Sequence, residues 1–264
     1  MKRTPRIPQR LTETGEMPFL DHLEELRWRV LYSLIALLVG AVIGFVIVTE
    51  LEVLDLLIRP IRPLLGEGQK LVYLSPADPF FITLKLAVLV GALLAAPIVV
   101  YQVWAFLSPA LSPVERRSIV PAFYLGLILF AAGVGLAYFA ALPVTLKFFA
   151  GFLTETLEAN YVIGPYLELV VRMLLAFGLV FELPVVVLVL AVLGIVDARM
   201  LRAGRRYAIV IIAIVASLIT PGDVVLLTVF LMIPLVLLYE LSIGLASLVE
   251  RRRRRAALDE PVEA

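Results

Sequence analysis

The stretch Pro18-Phe-Leu-Asp-His-Leu-Glu-Glu-Leu-Arg-Trp-Arg29 runs directly into an uncharged apolar segment, Val30 to Thr49, and this junction decides how the chain is organised. Phe19, Leu20, Leu23, Leu26 and Val30 recur at helical spacing on one face, while Asp21, Glu24, Glu25 and Arg27 fall off that stripe. The segment reads as an acidic amphipathic helix fused to a membrane span, with carboxylates where water meets lipid. Two uses follow from that placement. The charges either face water and only mark the entry into the membrane, or they receive a basic group arriving from the same side.

The rest of the chain has the same character. Of its 264 residues, 62% are hydrophobic and 17% charged, which places it among integral membrane proteins. A span needs about 20 apolar residues to cross roughly 30 Å of hydrocarbon. Candidates lie at about 28–49, 80–104, 118–142, 166–194, 207–219 and 224–240. The expected organisation is a disordered tail over 1–16, one membrane domain over 17–250 and a basic then acidic tail over 251–264.

Charge distribution sets the orientation. By alternate loops, one side carries Lys2, Arg3, Arg6, Arg10, Arg27, Arg29, Arg116, Arg117, Arg199, Arg202, Arg205, Arg206 and the run Arg251–Arg255. The other side has Arg59, Arg62, Lys70 and Lys147. The positive-inside rule then puts both termini in the cytoplasm, which requires an even number of spans, and six fit. The arginine run reads as a topology anchor that also touches anionic lipid, not as a nucleic-acid site.

Local signals refine this picture. Asp78 followed by Pro79 reads as an N-cap opening the second span, and Pro97 predicts a kink within it. Trp104 and Phe106, in the loop expected after that span, suit the membrane interface. Ser112-Pro-Val-Glu115 has the capping-box pattern, and Thr220 with Asp223 repeats it. Glu168 and Arg172 are spaced to neutralise each other on the fourth span, whereas Glu182 lies mid-membrane with no such partner, two residues before Pro184. The apolar run 207–219 is short, roughly 20 Å at 1.5 Å per residue.

Several chemistries are missing from the sequence. The chain has no cysteine and a single histidine, His22, so thiolate chemistry, a His-pair metal site and a serine–histidine hydrolase are all excluded. A phosphate-cradling nucleotide loop is absent too. Catalysis is not expected. A transporter and a binding platform remain, with Glu182 as a possible proton relay in a proton-coupled small-solute transporter.

Six motifs, taken in order, resemble those of TatC, the multispan subunit of the twin-arginine protein translocase. They are His22-Leu-Glu-Glu-Leu-Arg27, Ser75-Pro-Ala-Asp-Pro-Phe-Phe81, Ala96-Pro-Ile-Val-Val-Tyr-Gln-Val-Trp-Ala-Phe106, Pro109-Ala-Leu with Glu115-Arg-Arg117, Ala176-Phe-Gly with Phe181-Glu-Leu-Pro184, and Thr220-Pro-Gly-Asp223 with Ile233-Pro234. The resemblance spans Pro18 to Ala246 and implies an all-α, cupped six-helix bundle with short fifth and sixth helices. It implies a receptor in the cytoplasmic membrane for signal peptides carrying paired arginines, exporting folded proteins with the proton-motive force. It implies no cofactor and no catalysis. The implied partners are single-span subunits of the TatA and TatB types, with self-association in the receptor complex.

By the same resemblance, Glu25 and Glu115 receive the arginine pair, framed by Arg27 and Phe106, while Glu182, Asp223 and Pro60 contact partner helices. The chemistry is consistent with that division. A guanidinium makes paired, charge-assisted hydrogen bonds to a carboxylate that an ammonium does not reproduce. Two adjacent arginines in an extended peptide point apart, so two separated acids suit them better than one.

Overall fold

A computed structural model describes residues 19–66, 68–107, 119–151, 160–220 and 225–259. The expected tail over 1–16, the Ser112–Glu115 box and Asp223 lie outside the described residues. Among the described residues the fold is all-helical, with one isolated parallel bridge between Val72 and Val162. Five stretches are long and apolar enough to cross a bilayer: Asp21–Glu50, Asp78–Phe106, Pro121–Ala150, Ile163–Val192 and Thr228–Arg251.

Helix α1, Phe19–Glu50, carries the acidic segment and the first span as one piece. Glu52, at φ 37°, is the left-handed residue that turns the chain into the short helix α2, Val53–Ile58. Helix α3, Asp78–Leu107, runs through Pro97 and continues past Trp104 and Phe106, which therefore belong to the helix and not to a loop. Its start differs from the expected N-cap. Asp78 Oδ2 accepts from the amides of Leu74 and Ser75, and Ser75 Oγ accepts from Ala77 N, so Ser75 caps and Asp78 reaches back.

The third span is longer than its apolar run suggested. Helix α4, Ile119–Leu136, passes through a π-helical segment at Ala137–Ala141 into α5, Leu142–Ala150. Pro143 sits just beyond the wide turn, which absorbs the amide that proline lacks. The fourth span is broken. Helix α6, Ile163–Val180, ends at Phe181 and α7, Leu183–Val192, begins after Glu182 with Pro184 in its first turn.

Helices five and six are not short as helices, contrary to expectation. Helix α8, Ala198–Ile219, has 22 residues because Arg199, Arg202, Arg205 and Arg206 extend the apolar run backwards by more than two turns. Asp197 caps it by accepting from Met200 N, and Glu250 accepts from Ala198 N. Helix α9, Val225–Asp259, has 35 residues, since its backbone stays helical through the arginine run.

Helices α1 and α3 pair antiparallel along a glycine seam. A Cβ added at Gly91 would lie 2.4 Å from Ala41 N, at Gly40 2.5 Å from Gly91 O, and at Gly44 2.3 Å from Ala87 O. Backbones this close admit no side chain, which is the small-residue packing that holds helices together in lipid. On the other flank, α6 contributes Val170, Met173, Leu174 and Phe177 to the main buried cluster with Leu86 and Leu89 of α3. Tyr138 and Tyr166 donate to the carbonyls of Leu56 and Leu57 at 2.6 and 2.5 Å, fastening α2 across α6 and the π segment.

Gly91→Val should therefore separate α1 from α3, an overpacking effect of about 1–3 kcal/mol or more because backbone atoms must yield. Gly135→Ala, where nothing lies within 4 Å, is the matched control. Thermal unfolding in detergent should show a clear drop for the first and none for the second; equal midpoints would remove the seam from the account.

Candidate functional site

The seam fixes what meets at the N-terminal end of α1 and the C-terminal end of α3. Gly40 faces Gly91, Gly44 faces Ala87, and roughly eleven residues or 16 Å further along each helix, at about 1.5 Å per residue, Arg29 reaches Gln102. Residue numbers in these pairs add to a constant, as an antiparallel pairing without slip requires.

Arg29 donates to Glu25 Oε1 from Nη2 at 2.9 Å and from Nε at 3.3 Å, and to Gln102 Oε1 from Nη1 at 3.1 Å. The Glu25 side chain is only 11% exposed and that of Arg29 25%. Glu25 Oε2 is buried with no hydrogen-bond partner among the described residues. An orphaned buried acceptor costs about 1–3 kcal/mol, so a donor reaching Glu25 Oε2 from outside the described residues would be favoured there. Beside it, His22 stacks on Phe106 with ring centroids 4.3 Å apart and planes 14° from parallel. One turn of α1 thus offers a set-back carboxylate oxygen next to an aromatic wall.

The other expected residues divide. Arg27 is exposed and has no ion-pair partner among the described residues, so the structure does not bring it into this cluster. Trp104, near the end of the second apolar stretch, is 5% exposed and packs with Ala122, Val185 and Val189. Glu115 lies outside the described residues. Gln102, Arg29 and the partner role of His22 are additions that sequence reasoning did not single out, although antiparallel pairing of the first two spans would have aligned them.

Glu182 occupies the break between α6 and α7. Its carbonyl accepts from Val185 N and Val186 N, while its carboxylate lies over Gly126 of α4, where an added Cβ would sit 3.0 Å from Oε2. Glu182 Oε1 is buried without a partner among the described residues. Glu168 and Arg172 pair at 3.5 Å on an exposed face of α6. Pro60 follows α2, above Ile61, which is buried. Among the described residues no cluster of three or more metal-ligating side chains exists.

A multispan helical protein with one buried carboxylate near the start of its first long helix and a second in the break of its fourth span belongs to the class of multi-pass helical membrane proteins. The family model for the Sec-independent protein translocase protein TatC matches residues 21–234. The chain is 41% identical over 231 residues to the Sec-independent protein translocase protein TatC of Desulforapulum autotrophicum, covering 88% of this chain and 84% of that one. It is 38% identical to the TatC of Aquifex aeolicus, with 90% and 98% covered, and 35% identical to that of Escherichia coli, with 86% of each covered. A crystal structure of the twin-arginine translocase receptor TatC superposes with a TM-score of 0.75 at 37% identity, over 87% of this chain and 99% of that chain.

The chain belongs to the TatC family: it is a multi-pass membrane component of the Sec-independent, twin-arginine protein translocase. These matches leave the small-solute transporter reading of Glu182 without support.

The His22–Phe106 stack should hold the first turns of α1 against α3, with a contribution of about 0.5–1.5 kcal/mol. Phe106→Ala is expected to speed amide hydrogen exchange around His22 to Glu25 and to leave the middle of α1 unchanged. Uniform exchange along α1 in both proteins would show that the stack does not order this end.

Proposed function

We propose that this chain is the receptor core that binds twin-arginine signal peptides, with Glu25 and Glu115 accepting the arginine pair at the cytoplasmic face. One observation carries the reading: Glu25 has a carboxylate oxygen that is buried and unpartnered among the described residues, where the start of α1 meets the end of α3. Its chemistry suits a guanidinium, whose N–H donors are planar and directional and whose weak hydration lowers the loss on entering a set-back site. Phe106 and His22 supply a flat face beside it, and Arg27 shapes the approach from the edge.

Both termini lie in the cytoplasm in this reading, because the basic loops and the arginine run share one side. The protein is not an enzyme; it acts by binding, and the work of export comes from the proton-motive force through single-span subunits of the TatA and TatB types. Glu182 meets a polar group on a partner's transmembrane helix. A hydrogen bond there contributes about 1–2 kcal/mol in model systems, enough to set register. Its support is the broken span, which opens backbone and carboxylate at one level. Pro60 and Asp223 shape partner contacts on the outer side.

The test is equilibrium binding of a twin-arginine signal peptide, and of the same peptide with two lysines, to the purified protein. Glu25→Gln and Glu115→Gln should each weaken the arginine peptide by about tenfold or more, ~1.4 kcal/mol or above, and the lysine peptide should bind weakly throughout. Indifference of the arginine peptide to both substitutions would refute the site.

A further inference from the structure

The carboxylate assigned to an incoming arginine already has a guanidinium of its own chain. Arg29 places two nitrogens on one oxygen of Glu25 and a third nitrogen on Gln102 from the neighbouring helix. An exposed pair at this spacing exchanges freely with water and adds little. This pair is set back, and the contact from α3 keeps Arg29 in place. A bidentate grip on Glu25 is therefore available only to a group that moves Arg29 aside.

That condition separates arginine from lysine. An ammonium is a compact, strongly hydrated point charge, and Glu25 with Arg29 attached presents it with little net field. A guanidinium recovers more, because its fork meets both carboxylate oxygens once Arg29 yields. Gln102 gives the displaced Arg29 an acceptor it already touches.

We propose that Arg29 is a specificity-determining counter-ion: by neutralising Glu25 in the peptide-free protein it turns away lysine pairs and admits arginine pairs. Gln102 is a positioning residue that acts through Arg29. The proposal rests on the receptor reading of Glu25, and its test keeps the two apart.

Arginine and lysine signal peptides are titrated against the full-length protein, Arg29→Gln, Gln102→Leu and Glu25→Gln. Arg29→Gln should bind the arginine peptide at least as tightly as the unaltered protein and the lysine peptide more tightly. The preference for arginine then falls by about tenfold, ~1.4 kcal/mol. A purely structural role would weaken both peptides together and leave their ratio unchanged, and that result overturns the proposal. Should Arg29→Gln fail to give a monodisperse protein, Gln102→Leu reads the same mechanism. It is expected to weaken the arginine peptide by about threefold with the lysine peptide unchanged, and equal effects on both overturn it. Glu25→Gln serves the underlying reading. If it leaves arginine binding intact, the receptor site itself is misplaced; if it abolishes binding while Arg29→Gln preserves the ratio, only the counter-ion role fails.

Discussion

Backbone-to-backbone contact between α1 and α3 at Gly40, Gly44 and Gly91 governs the end of the molecule where the candidate binding site lies. In lipid there is no hydrophobic gain from bringing two apolar helices together, so close packing and hydrogen bonding must hold them. Removing three Cβ atoms at the crossing lets the backbones interlock, and interlocked backbones cannot slide. The consequence appears roughly 16 Å away, where Arg29 meets Gln102, and further along the same helices, where His22 meets Phe106. A slip of one residue would shift Gln102 by about 1.5 Å and swing it about 100° around its helix. The Glu25–Arg29–Gln102 chain would then not form.

The remainder of the bundle follows from the need to satisfy polar groups without water. Two tyrosine hydroxyls take carbonyls at the end of α2, and Thr145, Thr220 and Ser242 return their hydroxyls to carbonyls of their own helices. Asp78 takes two amides before α3, and Glu250 takes the first amide of α8. Against this background, two buried carboxylate oxygens stand without partners among the described residues, on Glu25 and on Glu182. Among the buried side-chain polar atoms of the described residues, unmet hydrogen bonding is confined to these two carboxylates, one near the start of α1 and one in the break between α6 and α7.

Much of this was legible in the chain itself. Span positions, the acidic start of α1 and the ion pair of Glu168 with Arg172 follow from hydropathy and helical spacing, which act locally. The unusual position of Glu182 follows from its distance to both ends of a long apolar run. Helix lengths differ from the apolar runs where charge and helix diverge: at the start of α8 and the end of α9 the chain turns arginine-rich without leaving the helix. The packing of Trp104 against Ala122, Val185 and Val189 was not legible, because it depends on neighbouring helices. The Arg29–Gln102 contact depends on the register between two spans. That register was encoded in Gly40-Ala-Val-Ile-Gly44 and Gly91, a small-residue pattern whose meaning lies in tertiary packing and not in either helix alone.

A cryo-electron microscopy structure of the protein with a twin-arginine signal peptide bound would show whether Glu25 holds a signal arginine. The expected result is α1 and α3 in the same glycine-seam register, a signal arginine hydrogen-bonded to the Glu25 carboxylate, and Arg29 turned onto Gln102. A bound peptide whose arginines lie away from Glu25, with the Glu25–Arg29 pair undisturbed, would contradict it.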